Sequence, residues 1–373
     1  MTDKSQRIVL QDSKFGNLSY HKQFQGKFEW PSHEWLCWMP FEYAEIRRGG
    51  QVNICCPQWN PVSIGNVLEE KFDAIWTGET ANAIRTSIFD SSYSFCNSET
   101  CVNIQGYKSG RLLRPNTEEW RNKLTDSVKN TPLKVLFCID HSCNLVCPSC
   151  RGTKLIQLPN EEKQKALYAV RNVLNSMFPA PHRDLKLIGM DGVGEVFSSD
   201  VYREIFETEE IFTHTYKWPN LRFNINTNGT MMTEKYQIKH SGIFDHLSTL
   251  ELSIDAGNRE TYEKVRVGGD WDLLWKNLNY FYEKNKNNPK VQWQWNLIIQ
   301  QNNFRSIPEF VDLANKFTEK KPKLKMVKML NWGTFSEERY LEQAVWLPSH
   351  PMHQEYISVM NVPHVKNYEN VIR

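Results

Sequence analysis

From Leu133 onward, short apolar runs alternate with stretches in which apolar residues recur every three or four positions. The first pattern fits strands and the second fits helices. Their alternation predicts parallel β/α units. Strands are expected over 133–139, 185–190, 221–227, 247–254, 290–299 and 324–330, and helices over 160–178, 271–284 and 306–317. Ala166, Leu167, Val170, Leu174 and Met177 form one stripe of the first helix. Six such units predict an α/β fold, a partial (β/α)6 barrel.

Alternation within the strands sorts their faces. Asn224, Asn226 and Asn228 share one face, with Phe223 and Ile225 on the other. Glu251, Ser253 and Asp255 alternate with Leu250, Leu252 and Ile254, and Gln292, Gln294 and Asn296 with Trp293, Trp295 and Leu297. The apolar faces must pack under helices, and the polar faces then line a lumen suited to a polar ligand. An antiparallel sheet with one wetted face gives the same alternation.

The segment from His33 to Tyr107 has a different texture, rich in cysteine and poor in clear alternation. Residues 108–131 are polar and basic, with a short helix expected from Glu118. The resulting division is an N-terminal arm (1–32), a cysteine-rich domain (33–110), a linker (111–131), the barrel (132–333) and a C-terminal extension (334–373). His350 and His353 of that extension receive no role.

Composition narrows the function classes. At 373 residues with 40% hydrophobic content, the chain can bury a large core. A net charge of +2 gives no nucleic-acid footprint. The first residues lack the apolar core of a signal peptide, and no apolar run is long enough to span a membrane. Nine cysteines, an odd number without an export signal, argue against a disulfide framework and predict a reduced, cytoplasmic compartment. All nine lie between residues 37 and 150, a clustering that suits metal ligation.

Cys143, Cys147 and Cys150 follow the first strand at C-x3-C-x2-C spacing. Three thiolates on one loop can hold three irons of a [4Fe–4S] cluster and leave the fourth open. They can also form a zinc knuckle, with His141 as fourth ligand.

The run resembles the signature of radical S-adenosylmethionine (radical SAM) enzymes. The resemblance implies that the open iron is chelated by the amino and carboxylate groups of SAM. Asp191-Gly192-Val193-Gly194-Glu195, closing the second strand, resembles the family's Gly-x-Gly-Glu stretch. It implies that Gly192, Gly194 and Glu195 hold SAM's amino group. Thr227-Asn228 and Ser253-Ile254-Asp255 resemble family positions near the SAM ribose and carboxylate. Arg266 would pair with the SAM carboxylate or stand as a solvated surface charge. Two positions depart from the family pattern, Val196 where proline is common and Ser149 where an aromatic is common.

Cys37, Gly50, Cys55, Ile64-Gly65-Asn66-Val67, Ile75-Trp76, Arg85, Cys96 and Cys101 follow in an order similar to the SPASM or twitch auxiliary-cluster domains. The resemblance implies that Cys37, Cys55, Cys96 and Cys101 bind a second [4Fe–4S] cluster, with Cys56 as the alternative to Cys55. Structural zinc is the competing ligand. In most of that family this domain follows the barrel; here it precedes it.

Together these resemblances imply reductive cleavage of SAM by a low-potential donor of flavodoxin or ferredoxin type. A 5′-deoxyadenosyl radical would then abstract hydrogen from a carbohydrate-like small molecule or a peptide. Cys138, near the end of the first strand, would return a hydrogen atom and give epimerisation, unless it is a small buried hydrophobe. Electron loss to the auxiliary cluster would give dehydrogenation, or cross-linking in a ribosomal-peptide maturase. A separate leader-peptide-binding domain is not evident. The reading from another class is a non-catalytic iron–sulfur carrier or sensor.

Overall fold

The computed structural model describes residues 30–109, 113–129, 131–178, 185–190, 194–331 and 334–368. The protein is α/β and packs as two compact units. The first comprises residues 1–139 and 160–189, and the second 140–159 and 190–373.

The first unit contains strands β1 (Tyr43–Arg47), β2 (Gln51–Asn53) and β3 (Gly65–Asn66), helices α1 (Glu79–Phe89) and α2 (Glu118–Val128), strand β4 (Lys134–Cys138), helix α3 (Asn160–Met177) and strand β5 (Leu187–Met190). The strands run in the order β5-β4-β1-β2-β3. β1 pairs in parallel with β4, while β1–β2 and β2–β3 are antiparallel. The cysteine-rich segment therefore shares backbone hydrogen bonds with the first expected barrel strand. Its own strands are two to five residues long, too short to leave a legible alternation. At the β1–β2 turn, Gly50 has φ +81°, and a Cβ there would lie 2.3 Å from Asn66 Oδ1. Only glycine fits that turn.

Helix α3 buries the expected stripe, with Ala169 and Val173 beside it. Asn172 fastens it to the cysteine-rich segment. Its amide donates to the Val67 and Glu70 carbonyls at 2.6 and 2.7 Å, and its oxygen accepts from the Phe72 N–H at 3.2 Å. Helix α2 begins at Glu118 as expected, because the Thr117 side chain accepts from the Trp120 N–H.

The second unit contains α4 (Asp200–Thr208), β6 (Arg222–Thr227), β7 (Leu247–Ser253), α5 (Arg259–Val265), α6 (Trp271–Asn285), β8 (Gln292–Ile299), α7 (Ile307–Asn315) and β9 (Lys323–Lys328). The strand order is β9-β8-β7-β6, and every pairing is parallel. This excludes the antiparallel alternative for these strands. Side-chain caps start the helices: Asn258 accepts from the Thr261 N–H, and Asp270 from the Leu273 N–H.

The faces divide as the alternation requires. Phe223, Ile225, Leu250, Leu252, Trp293 and Trp295 are buried. Trp295 packs edge-on to Trp275 of α6 at 5.4 Å and lies 5.8 Å from Phe310 of α7. The other face carries a hydrogen-bonded polar layer. Ser253 Oγ donates to Asn226 Oδ1 at 3.1 Å, and the Gln294 and Asn296 amides donate to Glu251 Oε2 at 3.0 and 3.3 Å. Among the described residues, no helix is long and apolar enough to cross a membrane.

Candidate active site

The second unit brings the three-cysteine loop, the glycine turn after β5 and the ends of β6 and β7 together. The loop opens with Asp140, 3% exposed, whose Oδ1 accepts from the Ser142 N–H at 2.7 Å and whose Oδ2 accepts from Ser199 Oγ at 2.5 Å. The Cys143 N–H donates to the Leu155 carbonyl at 2.7 Å, and the Cys150 N–H to the Cys147 carbonyl at 2.9 Å. These bonds fold the loop back on itself. Cys143 and Cys147 are buried, and Cys150 is exposed.

Each of the three sulfurs accepts an N–H from its surroundings. The Leu145 backbone and Asn228 Nδ2 donate to Cys143 Sγ at 3.4 and 3.8 Å. Arg266 Nη1 donates to Cys147 Sγ at 3.6 Å, and Arg151 Nη2 to Cys150 Sγ at 3.8 Å. Such bonds stabilise charge on sulfur and tune whatever metal group it binds. Burial pushes the Cys143 thiol up to about 11. Burial also raises Cys147, and Arg266 pulls against it. Cys143 and Cys147 are thus held dry, as thiols that ionise readily only beside positive charge.

Gly194 and Glu195 lock this loop from below. A Cβ on Gly194 would lie 2.5 Å from the carbonyl oxygens of both Asp140 and Ser142. The Glu195 N–H donates to the Ser142 carbonyl at 2.8 Å. The Glu195 carboxylate, 2% exposed, accepts from Thr227 Oγ1 at 2.5 Å, the Asn228 N–H at 2.6 Å and the Phe197 N–H at 3.2 Å. Burial raises its pKa, and these donors oppose the rise. Glu195, Thr227 and Asn228 therefore tie β6 to the cysteine loop, and Asn228 Nδ2 extends the tie to Asn144 Oδ1 at 2.9 Å. Gly192 lies outside the described residues.

Asp255 closes β7 in the left-handed region, with φ 62°. Its Oδ1 accepts from the Ile298 N–H at 2.7 Å, and its Oδ2 meets Arg266 Nη2 at 2.9 Å. Arg266 is not a surface charge: its side chain is 12% exposed and spans Asp255 and Cys147. Burial pulls its pKa down, but Asp255 and Cys147 outweigh that and hold it above the ordinary value. Sequence reasoning did not find Asp140, Asn144 or Ser199. The only signal was their closeness to the cysteine loop or the glycine turn, which does not distinguish them from neighbours.

The first unit gathers the other thiols. Cys37, Cys55 and Cys101 are at most 7% exposed, and Cys96 is half-buried. Burial pushes Cys37 up to about 12, with Cys101 adding to it. Burial lifts Cys55 well above its ordinary value, followed by the facing Cys37, Cys96 and Cys101. Burial does the same to Cys96, with Cys37 and Cys101 contributing. Asn103 Nδ2 donates to Cys37 Sγ at 3.9 Å. Four soft sulfurs that repel one another as anions fit a cationic iron–sulfur group.

Cys56 sits differently. It is half-buried, receives the N–H groups of Gln58 and Trp59, and neighbours Glu45 and Arg47. Cys55→Ala should therefore remove about half of the iron from a protein carrying two four-iron clusters, while Cys56→Ala removes none. Iron and sulfide analysis after anaerobic reconstitution checks this; equal losses would contradict the assignment.

Arg85 supports the same region. It is 4% exposed, and it donates from Nε to the Pro40 carbonyl at 2.9 Å and from Nη1 to the Trp76 carbonyl at 2.7 Å. His350 and His353 bond the Glu342 and Val345 carbonyls, which accounts for both in structural terms. Among the described residues, no three His, Cys, Asp or Glu side chains close on a single metal ion. What the two thiol sets offer is sulfur that is largely desolvated, with Cys150 exposed.

Residues 37–102 match the SPASM family, an iron–sulfur cluster-binding domain. Solved structures align more loosely. Native anSMEcpe with bound AdoMet and Cp18Cys peptide shares 18% identity at TM-score 0.37, over 54% of this chain and 52% of that one. Native anSMEcpe with bound AdoMet shares 19% at TM-score 0.36, over the same fractions. The archaeal TYW1 crystal structure shares 16% at TM-score 0.26, over 45% of this chain and 58% of that one. The chain thus spans about half the length of the anSMEcpe structures. No curated protein matches the chain.

Proposed function

We propose that this protein is a radical SAM enzyme in which an auxiliary-cluster domain precedes the catalytic barrel. One observation carries the reading most directly. Three thiols on one loop each receive an N–H donor, and a glycine turn and two strand ends clamp that loop. Cys143, Cys147 and Cys150 would hold a [4Fe–4S] cluster, which would supply the electron for reductive cleavage of SAM and so for hydrogen abstraction from an unactivated C–H bond.

The chain's own residues do the rest. Cys143, Cys147 and Cys150 hold three corners, and the absence of a fourth cysteine in this loop leaves one position for a cosubstrate. Glu195, already bonded to Thr227 and Asn228, fixes the turn against which SAM's amino group would lie. Cys37, Cys55, Cys96 and Cys101 hold the auxiliary cluster, with structural zinc as the competing occupant. A flavodoxin- or ferredoxin-type protein is the proposed electron donor, and the cytoplasm the proposed compartment.

The polar layer of the second unit supports a substrate rich in hydroxyls or amides. Asn226, Glu251, Ser253, Gln294 and Asn296 offer donors and acceptors on one sheet face. A carbohydrate-like molecule and a peptide both suit it.

Cys138 supports epimerisation over dehydrogenation. It is itself buried; it pairs in register with Arg47 and shares a face with Glu45 and Tyr43, with Val135 and Phe137 on the other face. In this reading Cys138 is the hydrogen-atom donor, and its polar neighbours Tyr43 and Glu45 support that role.

Anaerobic reconstitution followed by SAM and dithionite tests the reading. 5′-Deoxyadenosine is expected; its absence from protein loaded with both clusters would favour a carrier or sensor. With substrate in D2O, deuterium should enter the product and be lost in Cys138→Ala. An unchanged Cys138→Ala enzyme would point to oxidation or cross-linking instead.

A further inference from the structure

Arg266 is placed to act on the cysteine loop itself. It follows α5, and both terminal nitrogens are committed inside the protein. Nη2 lies 2.9 Å from Asp255 Oδ2, and Nη1 donates to Cys147 Sγ at 3.6 Å. Nε is buried without a partner among the described residues. The Nη1/Nη2 edge that would grip a carboxylate end-on is therefore engaged by Asp255 and a sulfur.

The pair is dry and fixed. The two side chains are 12% and 1% exposed. Asp255 is held by its left-handed backbone and by the Ile298 N–H. The segment after Arg266 is bound to the loop as well, because the Val146 N–H donates to the Val267 carbonyl at 3.0 Å. A buried cation beside a sulfur ligand favours an added electron at the metal, and a carboxylate behind it subtracts part of that effect.

We propose that Arg266 and Asp255 form a charge pair that sets the reduction potential of the group on the three-cysteine loop, instead of Arg266 binding the SAM carboxylate. This inference rests on the radical SAM reading. Arg266 acts through Cys147 and is a positioning residue; it does not touch the reacting atoms. The pair makes a signed prediction. Removing the cation should make the site harder to reduce, and removing its carboxylate should make it easier.

The experiment is an EPR-monitored redox titration of the anaerobically reconstituted full chain. The signal that changes on SAM addition identifies the open site. Arg266→Gln should shift the reduction equilibrium at least about tenfold, a fall of about 59 mV for one electron. Asp255→Asn should shift it in the opposite direction; asparagine tolerates the left-handed backbone and keeps an acceptor for the Ile298 N–H.

If Arg266→Gln loads no iron, the direction of the Asp255→Asn shift decides alone. Unmoved potentials, or two shifts of the same sign, would overturn the proposal. So would an unmoved potential with a higher SAM concentration needed to change the signal, which returns Arg266 to the cosubstrate. A wild-type chain without a SAM-responsive signal fails earlier and sinks the radical SAM reading itself.

Discussion

Cys150→Ala is expected to lower 5′-deoxyadenosine formation more than about 100-fold and to remove about half of the bound iron. Loss of a residue that only hydrogen-bonds a metal ligand costs about 10–100-fold, and loss of a ligand itself should cost more. Cys150 is the right cysteine to remove because it is exposed, whereas Cys143 and Cys147 are buried. A truncation there leaves no core cavity, so the fold should survive with its auxiliary iron absorbance. Quantifying 5′-deoxyadenosine and iron in parallel checks both halves. Unchanged product formation would remove this loop from the chemistry.

Gly194→Ala should disrupt the same loop from the other side. The added methyl group would stand 2.5 Å from two backbone carbonyl oxygens, and neither can swing aside as a side chain could. Overpacking of this kind costs about 1–3 kcal/mol, and a backbone clash belongs at the upper end. Gly152 provides the control, since a Cβ there meets nothing within 4 Å. Gly152→Ala should change stability by less than about 0.5 kcal/mol. Denaturant titration gives the energies, and reconstitution gives the iron. Equal stability of the two variants would show that the loop is not held as described.

Much of the second unit was legible in the sequence. The alternation in 222–227, 247–253 and 292–299 separates Phe223, Leu250 and Trp295 from Asn226, Glu251 and Gln294, and the structure keeps them on opposite faces. The period-2 signal survives because each strand has six to eight residues. The cysteine loop was legible because metal spacing is local in sequence. The Arg266–Asp255–Cys147 contact was not. Its members lie 11 and 119 residues apart along the chain, and only the left-handed turn at Asp255 and the folding of α5 bring them together. A charged residue on a helical segment reads as surface until its partner is located.

The first unit was less legible for another reason. Cys55 was favoured over Cys56 by its spacing from Gly50, and the structure sets Cys37, Cys96 and Cys101 among its electrostatic neighbours. The pairing of β1 with β4 leaves no local trace, since hydrogen bonds between partners 91 residues apart (Tyr43 with Lys134) depend on tertiary closure.

That pairing constrains how the chain can be made. During synthesis the ribosome releases residues 37–101 well before residues 134–138 and 160–177 emerge. Until then β1 is a bare edge, and the face that α3 will cover stays wet. A nascent fragment in this state should be sticky and a poor acceptor for iron and sulfide. Assembly of the centre on residues 37–101 would then follow release of residue 177, although its own ligands emerge earlier.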